Sequence, residues 1–322
     1  AVWCRGYFGN TATGSGGATH MDLSLCTHVL VADLWDDPRL FFWYGDILVT
    51  YALCGFVVYW FRNLSAPALF LIGCISLLVA LLIMMSAGVA PLDVQQGILE
   101  VFVLNPADID REIAAYRGTW FDVQNARLIE ALDIQFAGIP FFLFWRAGGL
   151  MLIGMALFKL GVFSATRSIK FYTRLVGVSG FISFPLVACS AVQLIGHDWD
   201  PSFRLLQHRG VYNYVGSIGV ALFYVGCIML ISRTGIWHTM QARLAAVGRM
   251  AFTNYILQFV IATRLFYRYG FGLFGSVERW GQFLIVLIIW AFQLWMSPIW
   301  LSKFRFGPME WLWRSLTYFK FQ

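Results

Sequence analysis

Apolar runs of about 17 to 25 residues follow one another along most of this chain, with short polar stretches between them. A helix needs about 20 apolar residues to cross a hydrocarbon layer of roughly 30 Å, so each run is a candidate transmembrane helix. The pattern predicts an all-α, polytopic transmembrane helix bundle with about seven spans. These spans are placed at residues 42–61, 68–90, 138–159, 172–195, 211–231, 250–266 and 280–301.

The composition favours a membrane protein over other classes. Of the 322 residues, 59% are hydrophobic and only 12% are charged, which a soluble domain rarely shows. The net charge of +6 does not indicate nucleic-acid binding, because the basic residues are scattered through short loops and form no dense patch. The lipid bilayer is therefore the expected partner, and nucleic acid is not.

The loops alternate in the sign of their charge, which predicts an orientation in the membrane. The segment after the first span carries Arg62, the segments after the third, fifth and seventh spans are rich in Lys and Arg, and Glu310 is the single acid in these four segments. The connection at 91–137 instead carries eight acidic residues and three arginines. By the positive-inside rule, the basic segments and the C-terminus are cytoplasmic and this acidic connection is extracytoplasmic. Its residues 110–117 favour a helix along the membrane surface, with a solvated loop as the alternative.

Two motifs carry a family resemblance. One reads Gly-Arg-Met-Ala-Phe-Thr-Asn-Tyr-Ile-Leu-Gln over 248–258, and the other reads Phe-Arg-Phe-Gly-Pro-Met-Glu-Trp-Leu-Trp-Arg-Ser-Leu-Thr-Tyr over 304–318. Trp and Arg are common where an apolar segment meets the membrane surface. A location at the membrane surface, however, does not require Gly-Pro before Glu310 or the Trp-Leu-Trp-Arg order of residues 311–314. With these motifs the chain resembles the YeiB-like family of bacterial inner-membrane proteins, whose C-terminal module is a domain of unknown function. The resemblance covers about residues 41–322 and implies a location in the bacterial inner membrane.

The first 40 residues depart from this family. They are rich in Gly, Thr and Asp and contain no span. Read one base later, the back-translated codons of residues 1–6 and 30–40 permit two motifs of the family, Leu-Phe-Gly-Ala-Gly and Gly-x-x-His-Ala. We therefore expect a frameshifted, 5′-truncated reading of a longer gene, with a divergent N-terminal tail as the alternative. The predicted domains are then an anomalous segment at 1–40, membrane helices at 41–160 and a YeiB-like C-terminal membrane domain at 161–322.

Asp46 is a candidate for chemistry because it lies one turn into the first apolar run. A carboxylate at the centre of a membrane helix costs about 2.5 to 3.5 kcal/mol, so such a residue usually has a function. The alternative is that Asp46 lies near the membrane surface and stabilises the N-terminus of its own helix.

Polar side chains at helical spacing mark the last two spans. Asn254 and Gln258 are four residues apart in the sixth span, and Gln293 and Ser297 repeat this spacing in the seventh. Amide side chains in hydrocarbon need hydrogen-bond partners, so the two helices are expected to present these faces to each other or to a polar cavity. Hydrogen bonding between the helices and a polar binding surface both remain open.

Charged residues near the predicted cytoplasmic surface form a second candidate site. Arg249 begins the sixth span, and Glu310 and Arg314 lie four residues apart in a predicted helix that starts at Pro308. Arg249 is placed to meet Glu310, or to join Arg314 in binding an anionic lipid headgroup, a phosphate or a lipid-linked substrate. Simple anchoring of the chain at the membrane surface is the alternative.

No metal site or catalytic triad can be assembled from the spacing of residues in this chain. Past the anomalous segment, His197, His208 and His238 all fall in loops between spans. No cofactor is evident from the sequence itself.

The YeiB-like family resembles, more distantly, the transmembrane acyltransferases of the heparan-alpha-glucosaminide N-acetyltransferase type. That resemblance implies transfer of an acyl group from a donor such as acyl-CoA to a cell-envelope or small acceptor. Asp46 would then move a proton or bind the acceptor, and Arg249 and Arg314 would hold the phosphorylated donor. The alternatives are a carrier with a site at Asn254, Gln258 and Gln293, or a membrane scaffold without catalysis.

Overall fold

The computed structural model describes residues 47–102, 106–200, 202 and 210–318, and all regular structure in these residues is helical. The prediction of an all-α fold is therefore confirmed. A 3₁₀ turn at Ala87–Val89 and a π-helical segment at Ile134–Leu143 supplement the α-helices. In chain order, the α-helices are α1 (Ile47–Trp60), α2 (Ala66–Ser86), α3 (Leu92–Phe102), α4 (Pro106–Tyr116), α5 (Trp120–Asp133), α6 (Phe144–Lys159), α7 (Ile169–Gly196), α8 (Gly210–Thr234), α9 (His238–Arg249), α10 (Ala251–Phe266), α11 (Arg279–Lys303) and α12 (Pro308–Tyr318).

Five helical stretches of the described residues are long and apolar enough to cross a membrane. The bent pair α9 and α10, which meet at 79°, forms a sixth candidate if it crosses as one broken span. Helix α1 is apolar but short, and the start of the first predicted span lies outside the described residues. The chain is thus a multi-pass membrane protein, and the count of about seven spans stays a prediction. The five stretches are Ala66–Val89, Trp120–Lys159, Ile169–Gly196, Gly210–Thr234 and Arg279–Lys303.

The described residues divide into two compact units that alternate along the chain. The first unit contains residues 106–131 and the chain from residue 237 onward. The second contains residues 47–102 and the described part of 132–236. The predicted boundary between 160 and 161 concerns sequence modules, and it stays a prediction.

In the second unit, α2 and α6 pack at glycines. A Cβ atom on Gly73 would lie 2.8 Å from the carbonyl oxygen of Gly149, and one on Gly149 would lie 2.9 Å from that of Gly73. Both distances are too short for a real side chain, so the two backbones approach as closely as only small residues allow. Such contacts are typical of helices that associate inside a bilayer.

The apolar side chains of the second unit are largely on its outside. Phe181 in α7 is 84% exposed and Leu71 in α2 is 61% exposed, whereas Ser183 and Ser190 of α7 are buried. A soluble protein would bury the apolar rings and expose the serines. The reversed arrangement fits helices whose outer surface contacts lipid tails.

The first unit includes part of the acidic connection, which is helical and packed. The Tyr116 ring at the end of α4 stacks on Tyr267 at 5.3 Å and on Phe274 at 4.6 Å between ring centres. Arg117 Nε donates a hydrogen bond to the carbonyl oxygen of Phe274 at 2.8 Å. The helix predicted at 110–117 is thus found within and just after α4. The interpretation as a loop is wrong for most of residues 106–131, because they form α4 and α5, whereas solvation of their exposed faces and a position along the membrane surface stay predictions.

Candidate functional site

Glu310 binds the N-terminus of α10. Its Oε1 accepts hydrogen bonds from the backbone N–H groups of Phe252 at 2.8 Å and Thr253 at 3.0 Å. Its Oε2 accepts one from the Thr253 hydroxyl, whose oxygen in turn accepts one from the backbone N–H of Met309 at 3.1 Å. The residue before α10, Met250, makes no side-chain cap. Glu310 in α12 therefore supplies the cap that the chain lacks locally.

Gly307 allows α12 to approach α10 this closely. A Cβ atom on Gly307 would lie 2.6 Å from Thr253 Oγ1 and would also collide with Glu310 Oε2. Pro308 follows as the first residue of α12, where its missing N–H leaves no helix hydrogen bond unmade. The predicted start of a helix at Pro308 is confirmed. The Gly-Pro-x-Glu order of the tail is thus explained by contact geometry.

The polar faces of α10 and α11 meet, as their spacing predicts. Gln258 Nε2 donates to Gln293 Oε1 at 2.8 Å, and Gln293 Nε2 donates to the carbonyl oxygen of Asn254 at 2.9 Å. Asn254 Nδ2 donates to Ser297 Oγ at 3.2 Å and to the carbonyl oxygen of Val247 in α9 at 3.1 Å. Asn254, Gln293 and Ser297 are all buried. These bonds join three helices and span the bend between α9 and α10.

Arg249 and Arg314 make no ion pair with Glu310 in the part of the chain that the structure describes. Arg249 is exposed at the end of α9, and the Arg314 guanidinium lies 4.3 Å from the centre of the Phe306 ring. The expected contact between Arg249 and Glu310 is replaced by the amides of α10. Backbone donors at a helix N-terminus are fixed in place, so they bind a carboxylate without the entropy cost of ordering an Arg side chain.

A cavity of about 850 Å³ lies where α11 leads into α12. Arg305 and Arg314 both lie against the ring of Phe306, at 5.3 and 4.3 Å from its centre, so two positive charges are held near each other. Trp300 Nε1 donates to the carbonyl oxygen of Phe306 at 2.9 Å, which fixes this corner. The cavity, called here the aromatic–arginine pocket, is lined by Trp300, Phe304, Arg305, Phe306, Pro308, Trp311 and Arg314.

Of the residues singled out in the sequence, Arg314 lines this pocket, whereas Arg249 is not among the lining residues. Asp46 lies outside the described residues. Within those residues, no three His, Cys, Asp or Glu side chains are grouped so that they could hold a metal ion.

Two arginines were not identified from the sequence. Arg146 lies inside the third predicted span, where Nη2 donates to Ser217 Oγ at 2.9 Å and the guanidinium lies 4.2 Å from the Tyr214 ring centre. A charged residue inside an apolar run marks a position that needs a polar partner, so the sequence did contain a signal for Arg146. Arg127 gave no such signal, because it belongs to a connection in which charged residues are common.

The chain is similar to proteins from several bacteria. The family described as "Protein of unknown function (DUF418)" matches residues 157–320. The uncharacterised protein YxaH of Bacillus subtilis is 30% identical over 294 residues, which cover 87% of this chain and 68% of that protein. The uncharacterised protein YeiB of Escherichia coli is 32% identical over 292 residues, which cover 86% and 71%.

A shorter match reaches an uncharacterised 39.9 kDa protein from the amylase 3′ region of Bacillus acidopullulyticus. It is 35% identical over 102 residues, which cover 31% of this chain and 28% of that protein. No solved structure matches significantly. The resemblance to the YeiB-like family is confirmed, whereas the more distant resemblance to acyltransferases stays an expectation. The chain belongs to the DUF418 family of proteins of unknown function.

Proposed function

We propose that this protein binds a phosphate-bearing acyl donor of the acyl-CoA class in the aromatic–arginine pocket and transfers the acyl group to a cell-envelope or small acceptor. The observation that carries the proposal is the pocket itself, with two guanidinium groups set among aromatic rings. Its volume of about 850 Å³ falls within the range of roughly 300–1,000 Å³ that is usual for small-molecule sites.

The chemistry of the lining matches the parts of such a donor. Coenzyme A carries a diphosphate and a ribose phosphate, and guanidinium groups bind phosphate oxygens in pairs. Its adenine can stack on an exposed ring such as Trp311, and the acyl chain can lie against Phe304. Arg314 and Arg305 are therefore assigned to the phosphates. If the C-terminus is cytoplasmic, as the charge bias predicts, the pocket faces the compartment in which acyl-CoA is found.

The transfer itself requires an acceptor nucleophile and a base. The acceptor hydroxyl or amine attacks the thioester carbonyl, a C–O or C–N bond forms, and the C–S bond breaks. The acceptor proton passes through the base to the departing thiolate, which leaves as the coenzyme thiol. Asp46 is the candidate for this base within the present chain, and that role remains a proposal.

The contacts support an acyl donor in the pocket better than a carrier site between the helices. The side chains of Gln258 and Gln293 and the Asn254 amide nitrogen already bond within the bundle. Among the described side-chain atoms of Asn254, Gln258, Gln293 and Ser297, the Asn254 oxygen alone is buried without a hydrogen-bond partner. The network therefore serves packing, and a carrier would have to break it to admit a solute.

The proposal is tested by binding of palmitoyl-CoA to the full chain, purified in a neutral detergent and followed by calorimetry. Arg314→Gln is expected to weaken binding about 10- to 100-fold, because a charge-assisted hydrogen bond contributes about 1.5–3 kcal/mol. The control is Arg279→Gln, which removes an exposed arginine at the opposite end of α11 and should leave affinity unchanged.

Competition separates an acyl donor from a lipid headgroup. Coenzyme A without its acyl chain should bind more weakly than palmitoyl-CoA at the same site, and phosphatidylglycerol in mixed micelles should not displace palmitoyl-CoA. Equal affinity of the wild type and Arg314→Gln for palmitoyl-CoA would remove the support for the pocket. Displacement by phosphatidylglycerol would make the pocket a headgroup site and would overturn the acyl-donor proposal.

A further inference from the structure

Arg127 is a buried cation in which two of the three guanidinium nitrogens make no hydrogen bond. The side chain is only 4% exposed, on the face of α5 that also buries Val123 and Ala131. Nη1 donates to Gln124 Oε1 at 3.1 Å, whereas Nε and Nη2 are buried and have no hydrogen-bond partner. Burying guanidinium donors without acceptors is costly, so this arrangement needs an explanation.

The two unpaired nitrogens lie on one edge of the guanidinium plane. Nε–H and Nη2–H point the same way, and together they form the fork that accepts two oxygens of a carboxylate or phosphoryl group in parallel hydrogen bonds. Gln124 holds the third nitrogen and so fixes the plane of the group. The unused donors are therefore arranged as a complete bidentate binding edge, rather than scattered over the group.

Among the described residues, the neighbours of Arg127 supply aromatic rings but no carboxylate partner. The guanidinium carbon lies 5.5 Å from the ring centre of Phe259 in α10 and 6.0 Å from that of Tyr267 just after it. No carboxylate of the described residues forms an ion pair with Arg127. Glu130, one turn further along α5, accepts a hydrogen bond from the Tyr116 hydroxyl at 3.2 Å. Ring faces attract a cation only weakly, so they do not replace an anion at the fork.

We propose that Arg127 is the anchor of a second ligand site, which binds an organic anion through two oxygens of one carboxylate or phosphoryl group. Nε and Nη2 hold the anionic group, and the rings of Phe259 and Tyr267 contact the apolar body of the ligand. Arg127 is not among the residues that line the aromatic–arginine pocket, so this site does not depend on the acyl-donor proposal. A binding site of this kind suits an acidic acceptor or solute.

The position of Phe259 and Tyr267 separates this site from the Glu310 contact. Glu310 binds Thr253 at the start of α10, and Tyr267 follows its last turn, so the two ends of the helix are about 20 Å apart at 1.5 Å per residue.

With Arg127 only 4% exposed, a ligand can enter only if side chains around it move. Binding is therefore expected to be slow, and each sample must be incubated to equilibrium before measurement.

The test is the thermal unfolding midpoint of the purified full chain in neutral detergent, at constant ionic strength, with four probes. Phenylacetate and phenyl phosphate carry an apolar ring, and acetate and inorganic phosphate are their counterparts without it. A ligand that binds the folded state raises the midpoint in a saturable way. At least one ring-bearing probe is expected to do so at a lower concentration than its counterpart, and the responding pair identifies the anionic group.

The variants assign the effect to the fork. Arg127→Lys keeps the charge but lacks the paired donors, so the apparent Kd should rise at least tenfold, or roughly 1.4 kcal/mol. Arg127→Met should abolish the shift. Arg111→Met, which removes an exposed arginine paired with Asp108 in the preceding helix, should respond as the wild type does.

The wild-type measurement decides the outcome even if the variants fail to fold. No saturable shift with any of the four probes would overturn the proposal, and so would an equal shift in Arg127→Met. Since the probes lack coenzyme A and the variants leave Arg314 intact, the acyl-donor proposal can fail while this one stands, and the reverse also holds.

Discussion

At the scale of single residues, the tail motif caps the N-terminus of α10 with a side chain from another helix, α12. Glu310 replaces a local cap at the bend before α10, and its negative charge also lies at the positive end of the helix dipole. Gly307 is required because any side chain would occupy the space of Thr253 Oγ1. The sequence indicated that the order of residues in the tail serves more than anchoring at the membrane surface, and it predicted a helix that begins at Pro308. It did not predict the partner of Glu310, because 57 residues separate Glu310 from Thr253.

Replacing Glu310 by Gln tests this contact. Glu310→Gln keeps the size of the side chain but removes its charge and one acceptor, so unfolding should become easier by about 1–2 kcal/mol. The measurement is the unfolding midpoint of the purified protein in detergent. Glu278→Gln is the matched control, because Glu278 precedes α11 without making a side-chain cap. Equal midpoints for the two variants would contradict a capping role for Glu310.

The hydrogen bonds around Asn254 connect the scale of residues with that of helices. The sequence predicted the contact between α10 and α11 but not the bend that the same bonds span. Two pairs at helical spacing, Asn254 with Gln258 and Gln293 with Ser297, correctly indicated that α10 and α11 share a polar contact. Helix α9 and the sharp bend at Met250 were not predicted, because the sixth span was expected to begin at residue 250 after a loop, and no proline or other local signal marks a bent pair of helices there. The bend becomes understandable only with its long-range partners, since Glu310 and Asn254 satisfy backbone groups that a straight helix would satisfy itself.

A double-mutant cycle at Gln258 and Gln293 measures this contact at the scale of the two helices. Gln293→Leu should destabilise the protein more than Gln258→Leu, because Gln293 also donates to the Asn254 carbonyl oxygen. The coupling between the two changes should be about 0.6 kcal/mol, the usual size for such pairs in membranes. It is measured by unfolding both single variants and the double variant in mixed micelles. Strictly additive effects would mean that the two side chains do not interact.

The acidic connection is the element that sequence patterns described least well. Its charges favour solvation, yet residues 106–131 belong to a compact unit in which the Tyr116 ring stacks on both Tyr267 and Phe274. Hydrophobic periodicity reports which face of a helix is apolar, but not which distant segment covers it. The Arg117 bond to Phe274 joins residues 157 positions apart, and no local pattern contains that information.

At the scale of the whole molecule, this same contact constrains how the chain crosses the membrane. Residues 117 and 274 are joined by a hydrogen bond, so they lie on one side of the bilayer. Between them lie three candidate spans, namely the stretch that ends with α6, then α7, then α8, and each is taken to cross the membrane once. Three crossings would leave residue 234 on the opposite side from residue 117. The bent pair of α9 and α10 must then cross as well, which favours a broken span over a re-entrant loop.

This argument leads to a topology that reporter insertions can test. With the acidic connection outside, as its charge predicts, α11 returns the chain and places α12 in the cytoplasm. Alkaline phosphatase, which is active only outside the cytoplasm, should be active when inserted after Pro106 or after Ser276. It should be inactive when inserted after Thr166 or fused behind residue 318. Activity at the C-terminal fusion together with inactivity after Ser276 would make the bent pair re-entrant, and it would place the aromatic–arginine pocket on the side that lacks acyl-CoA.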